Sequence, residues 1–189
     1  MGWLTGFLGF GGCMGLQDSK LLVAGTINAS VSAQNASASN PPITGQDLTG
    51  VTANTATLSQ YSIDLNPVAG SGIDLGEGTP LFLKYVITTA FTGATGLTVA
   101  VAVADDAALS VNLTTLASQA APALTLGTVG YLPIPPQIAG GSNNGLGREF
   151  IGAVFTPTGG TVTAGKIVAE ITTQVDDPKT FYKSGFAVV

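Results

Sequence analysis

Residues 74–106, DLGEGTPLFLKYVITTAFTGATGLTVAVAVADD, decide the fold because they encode two β-strands and the turn between them. In each strand, bulky apolar residues occupy every second position, and smaller or more polar residues occupy the positions between. The bulky positions are Leu81, Leu83, Tyr85 and Ile87 in the first strand and Leu97, Val99, Val101 and Val103 in the second. Side chains on a strand alternate between its faces, so each strand is predicted to bury one heavy face. Residues 92–96, TGATG, supply the turn of a hairpin.

The rest of the chain contains further short strand candidates separated by turn residues. These candidates are Lys20–Ser32, Val111–Leu116, Ala123–Leu126, Glu149–Thr156 and Thr161–Thr173, the last with a bulge or bend at Gly165. Gly130–Pro136 is expected at a sheet edge, because proline cannot donate to a central ladder. No stretch has helical periodicity, and strands joined by Gly/Pro turns are typical of sandwiches and barrels. The sequence therefore predicts an all-β, antiparallel, jelly-roll-like β-sandwich.

Composition divides the chain into four parts. Residues 1–17 form an apolar, glycine-rich N-terminal arm, and residues 18–60 combine a strand with an Asn/Ser/Pro-rich loop or arm. Residues 61–177 are the predicted sandwich, and residues 178–189 are a C-terminal tail. The low-complexity stretch 33–57 is expected to contribute little to the core, because its small polar residues bury little apolar surface.

Large apolar side chains are concentrated in the arm and the tail. Leaving them in water is costly, so we expect them to dock on a neighbouring subunit. The predicted contact residues are Trp3, Leu4, Phe7, Phe10, Phe181, Tyr182 and Phe186. A membrane-touching peptide is the alternative for the arm, although its amphipathic pattern is weak. A secretory signal is not expected, because the N-terminus has no basic region.

The scarcity of charge bears on the partners. Charged residues are only 9% of the chain, against roughly 25% in an ordinary globular protein. A freely soluble monomer needs interspersed surface charge, so we expect a homo-oligomer whose subunits cover part of that surface. Nucleic acid is not expected as a partner, because the net charge is −5 and the six basic residues are too scattered to form a basic stripe. With Cys13 as the one cysteine, an intrachain disulfide is excluded.

Catalytic chemistry has little support in the sequence. The chain has no histidine, which removes the commonest general base and the Ser-His-Asp triad. Carboxylate pairs of the kind that glycosidases use remain open. They are Asp105 with Asp106, Asp176 with Asp177, Asp74 with Glu77, and Glu149 with Glu170. The Asp pairs stand at strand ends, where Asp is favoured by turns. We therefore expect no enzyme, and neither a cofactor nor a metal, because no loop has a calcium or phosphate-binding pattern.

Four phrases of the sequence resemble one known family. They are DLGEGTPL at 74–81, TAFTGATGLTV at 89–99, GYLPIPP at 130–136 and TGGTVTAGKI at 158–167. In these residues the chain resembles the Bbp16-like capsid cement proteins of tailed bacteriophages, over about residues 61–177. The resemblance implies a jelly roll on the outer capsid surface of the virion, bridging major capsid protein subunits as a dimer, a trimer or a higher symmetric oligomer. A carbohydrate-binding β-sandwich of a phage tail or fibre is the alternative, since jelly rolls serve capsids and lectins alike.

Overall fold

The computed structural model describes residues 21–27, 43–65, 79–136, 148–173 and 175. Over these residues the chain forms twelve β-strands and no helix. The strands are β1 Leu22–Ala24, β2 Thr26–Ile27, β3 Ile43–Thr44, β4 Gln46–Asp47, β5 Thr57–Leu58, β6 Ile63–Asp64, β7 Leu81–Thr92, β8 Gly96–Ala104, β9 Thr114–Ala120, β10 Val129–Ile134, β11 Phe150–Thr158 and β12 Ala164–Thr172. The described chain thus offers no helix that is long and apolar enough to cross a membrane.

Two antiparallel sheets contain most of the strands. Sheet I has the order β1-β12-β7-β10, and β4 also pairs with β12. Sheet II has the order β5-β11-β8-β9, and β6 also pairs with β11. Strands β2 and β3 form a separate two-stranded ribbon. Side chains from both sheets meet in one buried cluster, so the predicted all-β sandwich is confirmed.

The long strands β7 and β8 supply the centre of this core. Leu83, Tyr85 and Ile87 on β7 are fully buried, whereas the residues between them are half-buried, as the alternation predicted. Val99 and Val101 on β8 are fully buried and belong to the same cluster. Burying one such side chain stabilises a fold by about 1.5–3 kcal/mol. The predicted hairpin is wrong, because β7 pairs with β10 and β12 in sheet I whereas β8 pairs with β9 and β11 in sheet II. The turn between β7 and β8 therefore carries the chain from one sheet to the other.

The second face of β8 is buried as well, which the alternation alone did not predict. Ala100, Ala102 and Val154 form a small second cluster on that face. Leu109, in the loop after β8, is 1% exposed and lies against Gly152, where any added Cβ would approach its side chain. The small residues of β8 thus leave room for this loop to fold back over sheet II.

Two strand predictions after β8 were wrong. The strand predicted at Val111–Leu116 begins only at Thr114, because the Asp106 carboxylate accepts hydrogen bonds from the backbone of Ser110 and Val111. These bonds hold the chain in a loop. The segment 123–126 is not a strand, because residues 125–128 form a tight turn with Gly127 at φ 82°.

The segment before residue 60 also differs from expectation. The described part of Lys20–Ser32 is two short strands rather than one, because the chain bends at Gly25 with φ 99°. The stretch 33–57 was expected to add little to the core, yet Leu48 is fully buried. Strands β4 and β5 of this segment belong to the two sheets, so the sheets begin before the predicted boundary at residue 61.

One lateral side of the sandwich is closed by a buried glutamine. Gln46 on β4 is 8% exposed, and its Nε2 donates to the Leu58 carbonyl at 2.8 Å. Its Oε1 accepts the Gln60 backbone N–H at 3.0 Å. The Tyr61 N–H donates to the Val23 carbonyl at 2.9 Å. The edge of sheet II is thereby hydrogen-bonded to the edge of sheet I, and both polar groups of the glutamine are satisfied.

Two finer sequence predictions are confirmed. Gly165 lies where the register between β12 and β7 shifts, and a Cβ there would collide with the Phe91 ring. Strand β10, which falls within the proline-rich phrase at 130–136, lies at the edge of sheet I and pairs with β7.

Candidate interaction surface at one end of the sandwich

The sandwich has two ends of different construction. The turn end contains the β7–β8 turn at 93–95 and the β11–β12 connection at 159–163. The loop end lies at the opposite ends of the same strands, where β7 and β11 begin and β8 and β12 end. The β8–β9 loop, residues 105–113, also lies there because it follows β8 directly.

At the turn end, two turns interlock through glycines. The Thr95 N–H donates to the Thr158 carbonyl at 2.9 Å, and the Thr163 N–H donates to the Thr92 carbonyl at 2.8 Å. Gly93 has φ 86°, in the left-handed region that favours glycine, and a Cβ there would collide with the carbonyl oxygen of the opposite turn. The turn end is therefore closed by the chain's own backbone.

At the loop end, one carboxylate is held by the chain's single arginine. The Asp105 carboxylate accepts from Arg148 Nη1 at 2.7 Å to each oxygen and from Asn112 Nδ2 at 2.7 Å. These hydrogen bonds, the one from Arg148 first, lower the pKa of Asp105 below its ordinary value. This arginine therefore joins the start of β11 to the end of β8.

The neighbouring carboxylate, that of Asp106, binds backbone and hydroxyl groups of the β8–β9 loop rather than an arginine. Asp106 accepts from the Val111 N–H, the Ser110 N–H and the Ser110 hydroxyl, each at 2.7 Å. The hydrogen bonds from Val111 and then Ser110 lower the pKa of Asp106. The same loop contains two positive-φ residues, Leu109 and Asn112. The hydrogen bonds of Asp106 therefore fix the shape of the loop and the direction of the residues that follow it.

Large apolar side chains are exposed mainly toward the loop end. Seven large apolar side chains are exposed among the described residues, and five of these seven lie on segments at the loop end. The loop-end apolar set is Leu21 at 39%, Tyr61 at 47%, Val111 at 49%, Leu113 at 39% and Val175 at 48% exposed. The segment with Tyr61 is tied to the β8–β9 loop, because the Ser62 hydroxyl donates to the Ala107 carbonyl at 2.8 Å. The concentration of exposed apolar side chains at this end makes it the candidate interaction surface of the described residues.

The remaining two exposed apolar residues lie elsewhere. Leu126, 69% exposed, is at the tip of the β9–β10 turn, and Val129, 42% exposed, is opposite Val86 on the edge strand β10. They provide an internal reference, because they are as exposed as the loop-end set but belong to a different part of the sandwich.

The predicted contact residues lie outside the described residues. They are Trp3, Leu4, Phe7, Phe10, Phe181, Tyr182 and Phe186. Their assignment as subunit or capsid contacts therefore stays a prediction. The loop-end apolar set was not predicted; the signal was Val111 and Leu113 on either side of Asn112, which the sequence assigned to a strand.

In the two carboxylate pairs that lie within the described residues, Asp105, Asp106 and Glu170 have structural partners. Asp105 and Asp106 face separate partners, as given above. Glu170, on β12 of sheet I, pairs with Lys84 Nζ at 3.2 Å, whereas Glu149 precedes β11 of sheet II. In the described ranges no three His, Cys, Asp or Glu residues come together as metal ligands. The other two pairs, at 74 with 77 and at 176 with 177, fall outside those ranges.

Three of the four phrases that carried the resemblance have a packing function, and the fourth, at 74–81, lies mostly outside the described residues. The glycine of the phrase 89–99, Gly93, permits the interlocked turns. Gly130 opens the phrase 130–136, and a Cβ there would collide with the buried Tyr85 ring. Gly159, in the phrase 158–167, has φ 81° and lies against the Thr95 side chain. These motifs therefore specify the sandwich itself.

Comparison with known proteins agrees with that interpretation. No curated protein matches the chain. The family model described as Bbp16 matches residues 44–171, which is more than half of the 189 residues and includes both sheets from β4 to β12. The chain belongs to the Bbp16 family.

Proposed function

We propose that this protein is a capsid cement protein, which binds the outer surface of a phage head and bridges major capsid protein subunits. Membership of the Bbp16 family supports this proposal, because four phrases of the sequence resemble those of the Bbp16-like capsid cement proteins. The observation that carries the proposal is the loop-end apolar set, Leu21, Tyr61, Val111, Leu113 and Val175, beside a fixed polar loop.

The strand order supports a jelly roll as the scaffold. Eight strands make up the main orders of the two antiparallel sheets, β1-β12-β7-β10 and β5-β11-β8-β9, and the two-residue strands β4 and β6 add a fifth strand to each sheet. Consecutive strands lie in opposite sheets along much of the chain, and an eight-stranded double sheet is the form of jelly rolls in capsid proteins. The two sheets keep the loop end rigid relative to the core.

The loop end fits a surface that binds another protein. The single arginine there already has a partner within the chain, because its guanidinium is bound by the Asp105 carboxylate. Docking therefore leaves that arginine with its partner, and the apolar side chains gain about 25 cal/mol for each Å² that they bury. Because many copies would act on one shell, a modest free energy at each contact adds up over the whole capsid.

A binding experiment with a matched control tests the proposal. The protein is sedimented with empty shells of the major capsid protein from the same phage. The triple variant Tyr61→Ser/Val111→Ser/Leu113→Ser is expected to bind at least tenfold more weakly, whereas Leu126→Ser binds like the wild type. Loss of apolar contact at the loop end is the physical reason.

Three results would overturn the proposal. The first is no sedimentation of the wild type with shells, and the second is equal binding by the triple variant and the wild type. The third is binding to a glycan array without binding to shells, which would favour the carbohydrate-binding sandwich instead. Circular dichroism of each variant checks that the fold is intact before binding is compared.

A further inference from the structure

We propose that β9 is an open sheet edge at which a second copy of this chain adds its own β9, so that sheet II continues across a two-fold axis. Strand β9 is the outer strand of sheet II and pairs with β8 on one side. No described strand pairs with its other side, and five of its seven residues are exposed. This proposal does not depend on capsid binding.

The other edges of the described sheets are blocked. Strand β10 contains Pro133, which has no N–H to offer a further strand. On β1, the Val23 carbonyl already accepts the Tyr61 N–H. Strands β5 and β6 have two residues each, and their side of the sandwich is closed by Gln46. Strand β9 has neither proline nor charge along its length.

The ladder between β8 and β9 fixes which groups face outward. The Ala121 N–H donates to the Leu97 carbonyl at 2.8 Å, and the register continues as Val99 with Gln119. Alternate residues of an antiparallel strand bond to opposite sides. Gln119 therefore bonds toward β8, whereas the backbone N–H and C=O of Ser118 and Ala120 point to the open edge.

The length available for pairing is short but regular. The register shifts next to Ala117, where one extra residue of β9, Leu116, is inserted. The run from Ala117 to Ala120 after this bulge is continuous. A bulge twists the edge before it, so we infer that the added strand pairs with the run 117–120.

The chemistry of this edge favours a second copy as the partner. The chain has a net charge of −5, so two copies repel wherever acidic groups meet, but the run 117–120 has no charge. Two identical antiparallel strands also present donors and acceptors in a self-complementary order, as a two-fold interface requires. On the outer face, Ser118 lies opposite Ala100 and Ala120 lies opposite Thr98, so small uncharged side chains flank the edge.

The test removes one outward donor and leaves the β8 ladder intact. Ser118→Pro deletes the N–H that faces the edge, whereas Ser118→Thr keeps it and is a good strand former. Sedimentation equilibrium of the full chain alone is expected to show a dimer for the wild type and for Ser118→Thr. The dimer dissociation constant of Ser118→Pro is expected to rise at least tenfold.

Cross-linking gives a second measurement that does not need the proline variant to fold. In a Cys13→Ser background, Ser118→Cys and Ala120→Cys are oxidised singly and together. Facing residues of paired strands have Cα atoms about 4.5–5.5 Å apart, within the reach of a disulfide. A disulfide-linked dimer is expected in at least one variant. A monomeric wild type, a dimeric Ser118→Pro, or no cross-link in any cysteine variant would overturn the proposal.

Discussion

The turn end and the loop end of the sandwich are built from the same strands, yet they use polar groups in opposite ways. At the turn end, backbone N–H and C=O groups of two turns bond to each other, and Gly93 leaves room for the close approach. At the loop end, the side chains of Asp105 and Asp106 hold an arginine and a loop, and apolar side chains stay exposed.

This difference indicates that the turn end stabilises the fold, whereas the loop end carries exposed side chains that can contact a partner. Interlocked backbone tolerates little change, because an added Cβ has no space. A loop held by carboxylate hydrogen bonds keeps its shape while its outward residues, such as Val111, remain open to substitution. We therefore expect substitutions at the turn end to change stability and substitutions of the loop-end apolar set to change binding.

The largest effect on stability is expected from Gly93→Ala. The new Cβ must occupy a left-handed conformation and collide with the Thr161 carbonyl oxygen, so the loss is about 3 kcal/mol. Gly50→Ala is the matched control: Gly50 has φ 89° and nothing within 4 Å of the added Cβ. Only the conformational penalty applies there, about 1 kcal/mol. Urea unfolding measures both, and equal losses would contradict the interlocked-turn account.

The next effect concerns the ion pair on sheet I. Lys84→Met leaves the buried Glu170 carboxylate without its 3.2 Å partner, and we expect a loss of about 2–3 kcal/mol. The double variant Lys84→Met/Glu170→Met is expected to recover part of this loss. Arg148→Met, which breaks the more exposed pair at the loop end, should cost less than Lys84→Met. The reverse order in thermal unfolding would show that the loop end contributes more to stability than the sheet.

The smallest expected effect is on the pH dependence of the free energy of unfolding. The folded pKa values of Asp105, Asp106 and Asp47 lie below the ordinary value of 3.8. Their stabilisation is therefore complete above pH 3.8 and is lost as the pH falls through the folded values. Asp105→Asn/Asp106→Asn is expected to flatten the fall in unfolding free energy between pH 4 and pH 2, roughly the titration range of such carboxyls. If the double variant loses unfolding free energy with falling pH as steeply as the wild type, other groups cause the acid sensitivity.

The strands β7 and β8 were predictable because alternation is a local property of the sequence, but their placement in different sheets, rather than in a hairpin, was not. Leu83, Tyr85 and Ile87 needed only a period of two to be placed in the core. The position of β9 was not predictable in this way, since it depends on hydrogen bonds that the loop backbone donates to the Asp106 carboxylate. Burial of Leu48 in a low-complexity stretch depends on long-range pairing of β4 with β12, which short windows do not contain.

The loop end was less predictable than the core for the same reason. Asp105 and Arg148 are 43 residues apart, so their hydrogen bonds follow from the pairing of β8 with β11. Exposure of Tyr61 and Leu113 depends on which strands cover which faces. The sequence indicated the family through glycine phrases, and these glycines lie mainly at the turn end and in the core.

The most direct test of the central claim is a cryo-EM reconstruction of phage heads with the protein bound. The account predicts a sandwich on the outer surface, with the β8–β9 loop, residues 105–113, facing the major capsid protein and the turn end facing solvent. Density with the turn end against the shell, or heads with no density for the sandwich, would contradict it.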